Sequence, residues 1–119
     1  MLKLPIGIVA CDIVREADGL AMSSRNALLS TNQRAIAPQI YSTLQNALKE
    51  VGLFTPVEVK RHVTDRINSL GLLQVEYFEI VDELTLEAIT SWDQMGTKVG
   101  CIAVFSGKVR LIDNIIFAK

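Results

Sequence analysis

The sequence has little with which to bind by bulk charge, to cross-link or to enter a membrane. Lys and Arg total 12 against 13 Asp and Glu, a net charge of −1. The cationic excess that non-specific phosphate-backbone binding requires is therefore missing, and nucleic acid is not an expected partner. No apolar run approaches the about 20 residues of a membrane-spanning helix, and residues 1–5 lead into a short strand-like run instead of a signal-peptide core. The chain thus reads as cytoplasmic, with no membrane partner. The two cysteines, Cys11 and Cys101, are isolated in strand-like contexts without metal-ligand spacing. Such thiols are usually small buried hydrophobes, so neither is assigned a disulfide, a metal or any chemistry. There is no internal repeat and no low-complexity segment.

What is present suits one domain: 119 residues, half of them hydrophobic, are enough to bury a core. Residues 6–14 form a nearly continuous β-branched run, as in a strand buried on both faces of a parallel sheet. Such a strand needs neighbours, and no βαβ unit precedes it, so further sequence is expected upstream of Met1. Ser30 and Gln33 make a capping box, and Ile36, Ile40, Leu44, Ala47, Leu48 and Val51 recur on one face before Gly52, with Pro38 expected to kink or break the start. Thr55-Pro56-Val57-Glu58 opens a second helix over about 56–70, with Val59, Val63, Ile67 and Leu70 as its buried stripe and Gly71 as its stop. From Leu73 the period becomes two, giving a strand that ends near Asp82. A short helical turn is expected over 85–89, then a strand over 99–105, a turn at Ser106-Gly107 and an antiparallel return over 108–112 or beyond. Two helices and a three-stranded, mostly antiparallel sheet give a small α+β unit over 30–119 behind one orphan strand and a loop, with the boundary close to 22–30.

That loop concentrates the chemistry. In Arg15-Glu16-Ala17-Asp18-Gly19-Leu20-Ala21-Met22-Ser23-Ser24-Arg25-Asn26, Asp18-Gly19 is a turn signal, and two hydroxyls stand beside a planar cation ahead of a helix. Hydroxyl and amide donors fix phosphate oxygens, and a guanidinium neutralises charge that develops when a phosphoryl centre is attacked. A Ser-Ser-Arg-Asn segment is also commonplace in solvated turns, and composition does not decide between the two.

The whole string 15–26, followed by Leu29, closely resembles a signature of the pantothenate synthetase (pantoate beta-alanine ligase) family. Ile36-Ala37-Pro38 with Tyr41 and Leu44, and Val109-Arg110-Leu111-Ile112-Asp113-Asn114, are similar to that family's C-terminal region. The resemblance covers essentially all of this chain and only the C-terminal part of the family's length. It implies a Rossmann-like nucleotidyl-transferase domain, ending in residues 1–29, followed by an α+β lid over 30–119. The serine-serine-arginine segment would be the counterpart of the Lys-Met-Ser-Lys-Ser loop of class I aminoacyl-tRNA synthetases.

The implied activity is an adenylate-forming ligation. ATP and pantoate, with Mg²⁺, give pantoyl adenylate and pyrophosphate, and the amine of beta-alanine displaces AMP to leave pantothenate. Carried over by position, Met22, Ser23, Ser24 and Arg25 match the segment that closes over ATP, with the serines and Arg25 on the phosphates. Val14 matches a strand-end valine whose backbone reads adenine, where nucleotides bind in open α/β sheets. Asp18 and Gly19 would shape the turn, with Arg15 and Glu16 behind them. No His-x-Gly-His element, upstream Lys-Asp pair or pantoate-binding glutamine occurs, and the lone His62 sits within the second helix. The isolated chain is therefore expected to be inactive and to lack the pantoate pocket, and the resemblance implies a homodimer for the full-length protein. Arg110 and Asp113 read as cross-strand or inter-domain contacts, and Trp92 as a partly buried ring. The rival readings are another adenylyl or cytidylyl transferase, or a non-catalytic module that dimerises or binds a small molecule through its sheet.

Overall fold

The computed structural model describes residues 14–118. Local capping decides where its helices begin. Ser30 Oγ accepts the Gln33 amide and Gln33 Oε1 accepts the Ser30 amide at 2.8 Å, which starts helix α1 (Thr31–Ile36). Pro38 has no N–H to continue it, and the chain restarts as α2 (Gln39–Leu48), so of the expected kink or break it is the break that forms. Thr55 and Glu58 form the second reciprocal box ahead of α3 (Pro56–Asn68), with Pro56 in the first turn. Each such cap contributes about 1 kcal/mol.

The first helix ends earlier than its apolar spacing suggested. α2 stops at Leu48, which is exposed, while Gly52 adopts a φ of +88° inside a following turn where Val51 bridges Phe54. The left-handed glycine therefore closes a separate loop and does not cap the helix.

Strands β1 (Gln74–Asp82), β2 (Lys98–Ser106) and β3 (Val109–Ala118) form one sheet in that order, antiparallel throughout. A bulge between Val75 and Tyr77 interrupts the alternation in β1. The β2–β3 hairpin turns at Gly107-Lys108, one residue later than expected, because Ser106 still pairs with Val109 and Gly107 supplies the positive φ of +59°. The helical turn expected over 85–89 is absent. Instead, Asp82 Oδ1 accepts the amides of Leu84 and Thr85 in a turn, Leu86 has a φ of +60°, and Ala88 bridges Val81.

Helices α2 and α3 cover one face of the sheet. Ile40, Leu44 and Ala47 from α2 and Val59, Val63 and Ile67 from α3 meet Phe78 and Ile80 of β1, Ile102 and Val104 of β2, and Leu111 of β3. Fully burying each large aliphatic or aromatic side chain among them stabilises the fold by about 1.5–3 kcal/mol. Leu20, from the loop ahead of α1, is buried in this same core. On the opposite face Val81, Val99 and Cys101 form a smaller cluster with Tyr77. Burial pushes the Cys101 thiol up to about 12, consistent with an inert core residue. Cys11 and the strand expected over 6–14 lie outside the described residues, except for Val14.

Candidate nucleotide-phosphate site

The loop leaves Val14 and returns beside it. Arg15 and Ala21 form an antiparallel bridge, the Met22 amide donates to the Val14 carbonyl at 2.8 Å, and the Glu16 amide donates to the Leu20 carbonyl at 2.7 Å. Between these legs the chain turns at Gly19, whose φ is +97° and whose amide donates to the Glu16 carbonyl. Gly19 is required twice over. Its backbone region is one that L side chains rarely adopt, and an added Cβ would lie 2.9 Å from Tyr41 Cδ2.

Two arginine–carboxylate forks fasten this loop to the α+β body. Arg15 Nη1 and Nη2 donate to Asp113 Oδ2 and Oδ1 at 2.8 and 2.9 Å, and Nη1 also donates to the Gly19 carbonyl at 3.0 Å. The guanidinium lies over the Tyr41 ring, 3.5 Å from its centroid. Burial works against the Arg15 charge, but the hydrogen bonds to Asp113 and its negative charge outweigh that, so the guanidinium sits above its ordinary value. The second fork, from Arg34 of α1 to Asp18 at 2.7 and 3.2 Å, is solvent-facing and holds the Asp18 carboxyl below its usual range. Exposed pairs of this kind contribute little. The Arg15 pair differs because Asp113 is buried, so removing either partner would strand a charge.

Beyond the forks the chain enters a 3-10 turn, Ser24–Leu28, capped by Ser23, whose Oγ accepts the Arg25 amide at 3.1 Å. Asn26 Nδ2 donates to the Ala21 carbonyl at 3.0 Å and closes the segment from behind. Ser23, Ser24 and Arg25 are all exposed, as is Met22, and among the described residues neither the Ser24 hydroxyl nor the Arg25 guanidinium has a partner. Met22, Ser23 and Arg25 form one side of a pocket of about 180 Å³ whose other side is Tyr41 and β3 residues 110–113. Beyond its pinned part the loop thus presents the Ser23 hydroxyl and the Arg25 guanidinium at a cavity rim, with the exposed Ser24 hydroxyl between them in sequence. That set suits phosphate oxygens and not a cation, and among the described residues no three His, Cys, Asp or Glu side chains converge on a metal position.

The structure brings the residues singled out in the sequence together unevenly. Val14 and Met22 are joined directly, and Ser23, Ser24 and Arg25 follow. His62 is remote from them: its Nδ1 is 2.6 Å from Glu50 Oε1, and its ring meets Phe54 edge-on. Trp92 is half-buried, donates Nε1–H to the Phe54 carbonyl at 2.7 Å and packs on Phe117. Arg110 and Asp113 serve different ends. Arg110 reaches Glu76 of β1 at 2.7 Å across the sheet, whereas Asp113 holds the loop. Tyr41 and Asp113 are the two residues at this site that no local pattern identified as belonging to it, because their contacts depend on where α2 and β3 pack.

The chain is similar to known proteins along nearly its whole length. The family model described as pantoate-beta-alanine ligase matches residues 1–116. The pantothenate synthetase of Porphyromonas gingivalis is 53% identical over 115 residues, covering 97% of this chain and 41% of that protein. That of Bacteroides fragilis is 47% identical over 118 residues, covering 99% and 42% respectively. The chain therefore spans about two-fifths of the length of the relatives it matches. Among solved structures, pantothenate synthetase from Thermus thermophilus superposes with a TM-score of 0.79 at 31% identity, over 90% of this chain and 38% of that one. A pantoate-beta-alanine ligase from Francisella tularensis, solved with beta-gamma ATP and beta-alanine, gives 0.57 at 27% identity, over 90% and 32%. Among the described residues no helix is long and apolar enough to cross a membrane.

Proposed function

The chain belongs to the pantoate-beta-alanine ligase family, and from that premise we propose that it serves as the ATP-closing lid of a ligase that joins pantoate to beta-alanine through a pantoyl adenylate. The observation that carries this reading is the contrast within one loop. Residues 14–21 are tied down by hydrogen bonds and an arginine fork, while Ser23, Ser24 and Arg25 stand exposed, Ser23 and Arg25 at the pocket rim.

In this reading the Ser23 and Ser24 hydroxyls bond the ATP phosphates, and Arg25 stabilises the charge that builds when the pantoate carboxylate attacks the α-phosphorus and pyrophosphate departs. Val14 lies where its backbone reads adenine. Its carbonyl already accepts the Met22 amide and keeps a second lone pair for a ligand. Closure brings these donors onto the nucleotide and excludes water, which protects the adenylate until the amine of beta-alanine displaces AMP. Mg²⁺ would be carried on the triphosphate, offsetting its charge, with ligands from outside this chain.

The pantoate pocket and the opposite wall of the ATP site would come from a Rossmann-like nucleotidyl-transferase unit, with the complete enzyme a cytoplasmic homodimer. Sequence alone assigned residues 1–29 to that unit and 30–119 to the lid. Because Arg15, Asp18 and Leu20 are all fastened to the α+β body, we infer that residues 14–29 move with the lid. The test is a comparison of activities. The complete ligase carrying this chain should catalyse pantoate-dependent exchange between ATP and pyrophosphate, and the isolated chain should not. Turnover by the isolated chain, or none by the complete protein, would overturn the proposal.

A further inference from the structure

We propose that Asp113 and Tyr41 are positioning residues for the phosphate-gripping segment, acting on it through Arg15. The inference rests on the reading of Ser23, Ser24 and Arg25 given above and adds two residues far from them in sequence.

One guanidinium controls both legs of the loop. Arg15 stands on the outgoing leg and donates to the carbonyl of Gly19 at the turn, so its position sets the distance between the two. Its own position is set from outside the loop. Asp113 takes both terminal nitrogens, and the Asp113 carboxylate is itself oriented by the Asn114 amide, 2.7 Å from Oδ1. A planar fork gripped at both tines loses its rotation as well as its translation. Tyr41 then fixes the third direction, because its ring lies against both the guanidinium face and Gly19, with no space for even a methyl group on the glycine side.

The constraint is passed on through main-chain bonds. The Arg15–Ala21 bridge and the bond from the Met22 amide to Val14 set the direction in which the chain leaves the loop, and the next three residues are Ser23, Ser24 and Arg25. A buried ion pair is a poor source of stability compared with apolar packing of the same volume. What the fork supplies that an apolar pair would not is orientation. Misplacing catalytic donors by about 1 Å can cost roughly a hundredfold in rate, so orientation at this point has a kinetic consequence.

The experiment uses the complete ligase, with Asp113→Asn, Tyr41→Leu and Tyr41→Phe, and with Thr55→Ala as a variant that weakens the fold at the remote α3 cap. Pantoate-dependent ATP–pyrophosphate exchange is measured beside the attack of beta-alanine on pre-formed pantoyl adenylate, and each variant's thermal midpoint is recorded. Asp113→Asn and Tyr41→Leu should slow exchange by roughly tenfold to a hundredfold and leave the second half-reaction within about twofold. Tyr41→Phe, which keeps the ring, should restore the rate lost in Tyr41→Leu. Thr55→Ala should lower the midpoint with exchange intact. Equal loss in both half-reactions, or loss that merely tracks the midpoint across all variants, would overturn the proposal. Absence of exchange in the unsubstituted ligase would instead remove the functional reading and this proposal with it.

Discussion

The amide of Met22 donates to the carbonyl of Val14 at 2.8 Å. The strand-end residue expected against adenine and the first residue of the segment expected to close over ATP are therefore one hydrogen-bonded rung. A displacement of either end of the loop is felt at the other, and both are carried by the arginine fork beneath them.

Arg25→Ala in the complete ligase should lower pantoate-dependent ATP–pyrophosphate exchange by about 10²–10³-fold, the usual consequence of removing one preorganised charge-stabilising donor. Its side chain is exposed and has no partner among the described residues, so stability should stay within about 0.5 kcal/mol. An unchanged exchange rate would remove Arg25 from the chemistry.

Gly19→Ala combines strain with collision, since φ is +97° and the new Cβ would lie 2.9 Å from Tyr41. It should cost on the order of 1–3 kcal/mol and slow exchange more than the remote Thr55→Ala. Urea unfolding and exchange kinetics on the same preparations check both parts.

Gly100→Ala tests the core alone. A Cβ there would stand 2.4 Å from Phe117 Cε2 and 3.1 Å from Phe78 Cε1, in the central strand with no open side. Overpacking of this kind costs about 1–3 kcal/mol, measurable as a lowered urea midpoint. A wild-type midpoint would mean that Phe117 moves aside freely.

The acid limb of stability should report two carboxylates. Asp18 is lowered chiefly by its hydrogen bonds from Arg34, and Glu58 chiefly by the Thr55 amide. A depressed carboxylate contributes fully above its ordinary value and loses that contribution as pH falls through its folded value. Stability from these two should thus be constant above 4.5 and decline below 4.5 for Glu58 and 3.8 for Asp18. Urea midpoints from about pH 6 to about pH 3 should fall less steeply in the Asp18→Asn, Glu58→Gln double variant. Identical slopes would rule these groups out.

Cys101 should resist iodoacetamide at neutral pH in the folded protein and react in urea, because burial pushes its thiol up to about 12. Peptide mapping after alkylation distinguishes it from Cys11.

Features whose determinants are close in sequence were legible without coordinates. Ser30 with Gln33, Thr55 with Glu58, and the Pro38 interruption all act within one helical turn, and the structure forms each of them. The sheet and its antiparallel hairpin were legible from the change of period at Leu73 and the glycine at 107. What failed did so where a bridge between extended residues competed with a helical pattern. Gly52 looked like a helix stop, yet the Val51–Phe54 bridge claims that segment; residues 85–89 looked helical, yet Ala88 is drawn onto Val81. At the site, the donors in 22–25 were visible as a string, whereas what aims them was not. Asp113 has no local mark that points to Arg15, and Tyr41, though among the residues that carry the family resemblance, has none that points to the loop.

The bond between Arg15 and Asp113 spans 98 positions of sequence. On a ribosome that distance is also an order of events. Residues 15–26 are made well before β3, and nothing can aim them until β3 has been made and has docked. A nascent or truncated chain that stops before residue 113 keeps both capping boxes and both principal helices, yet its loop is without its anchor. Competence at this site therefore waits for residue 113, and a copy that stops short of it holds the right residues with nothing to hold them in place.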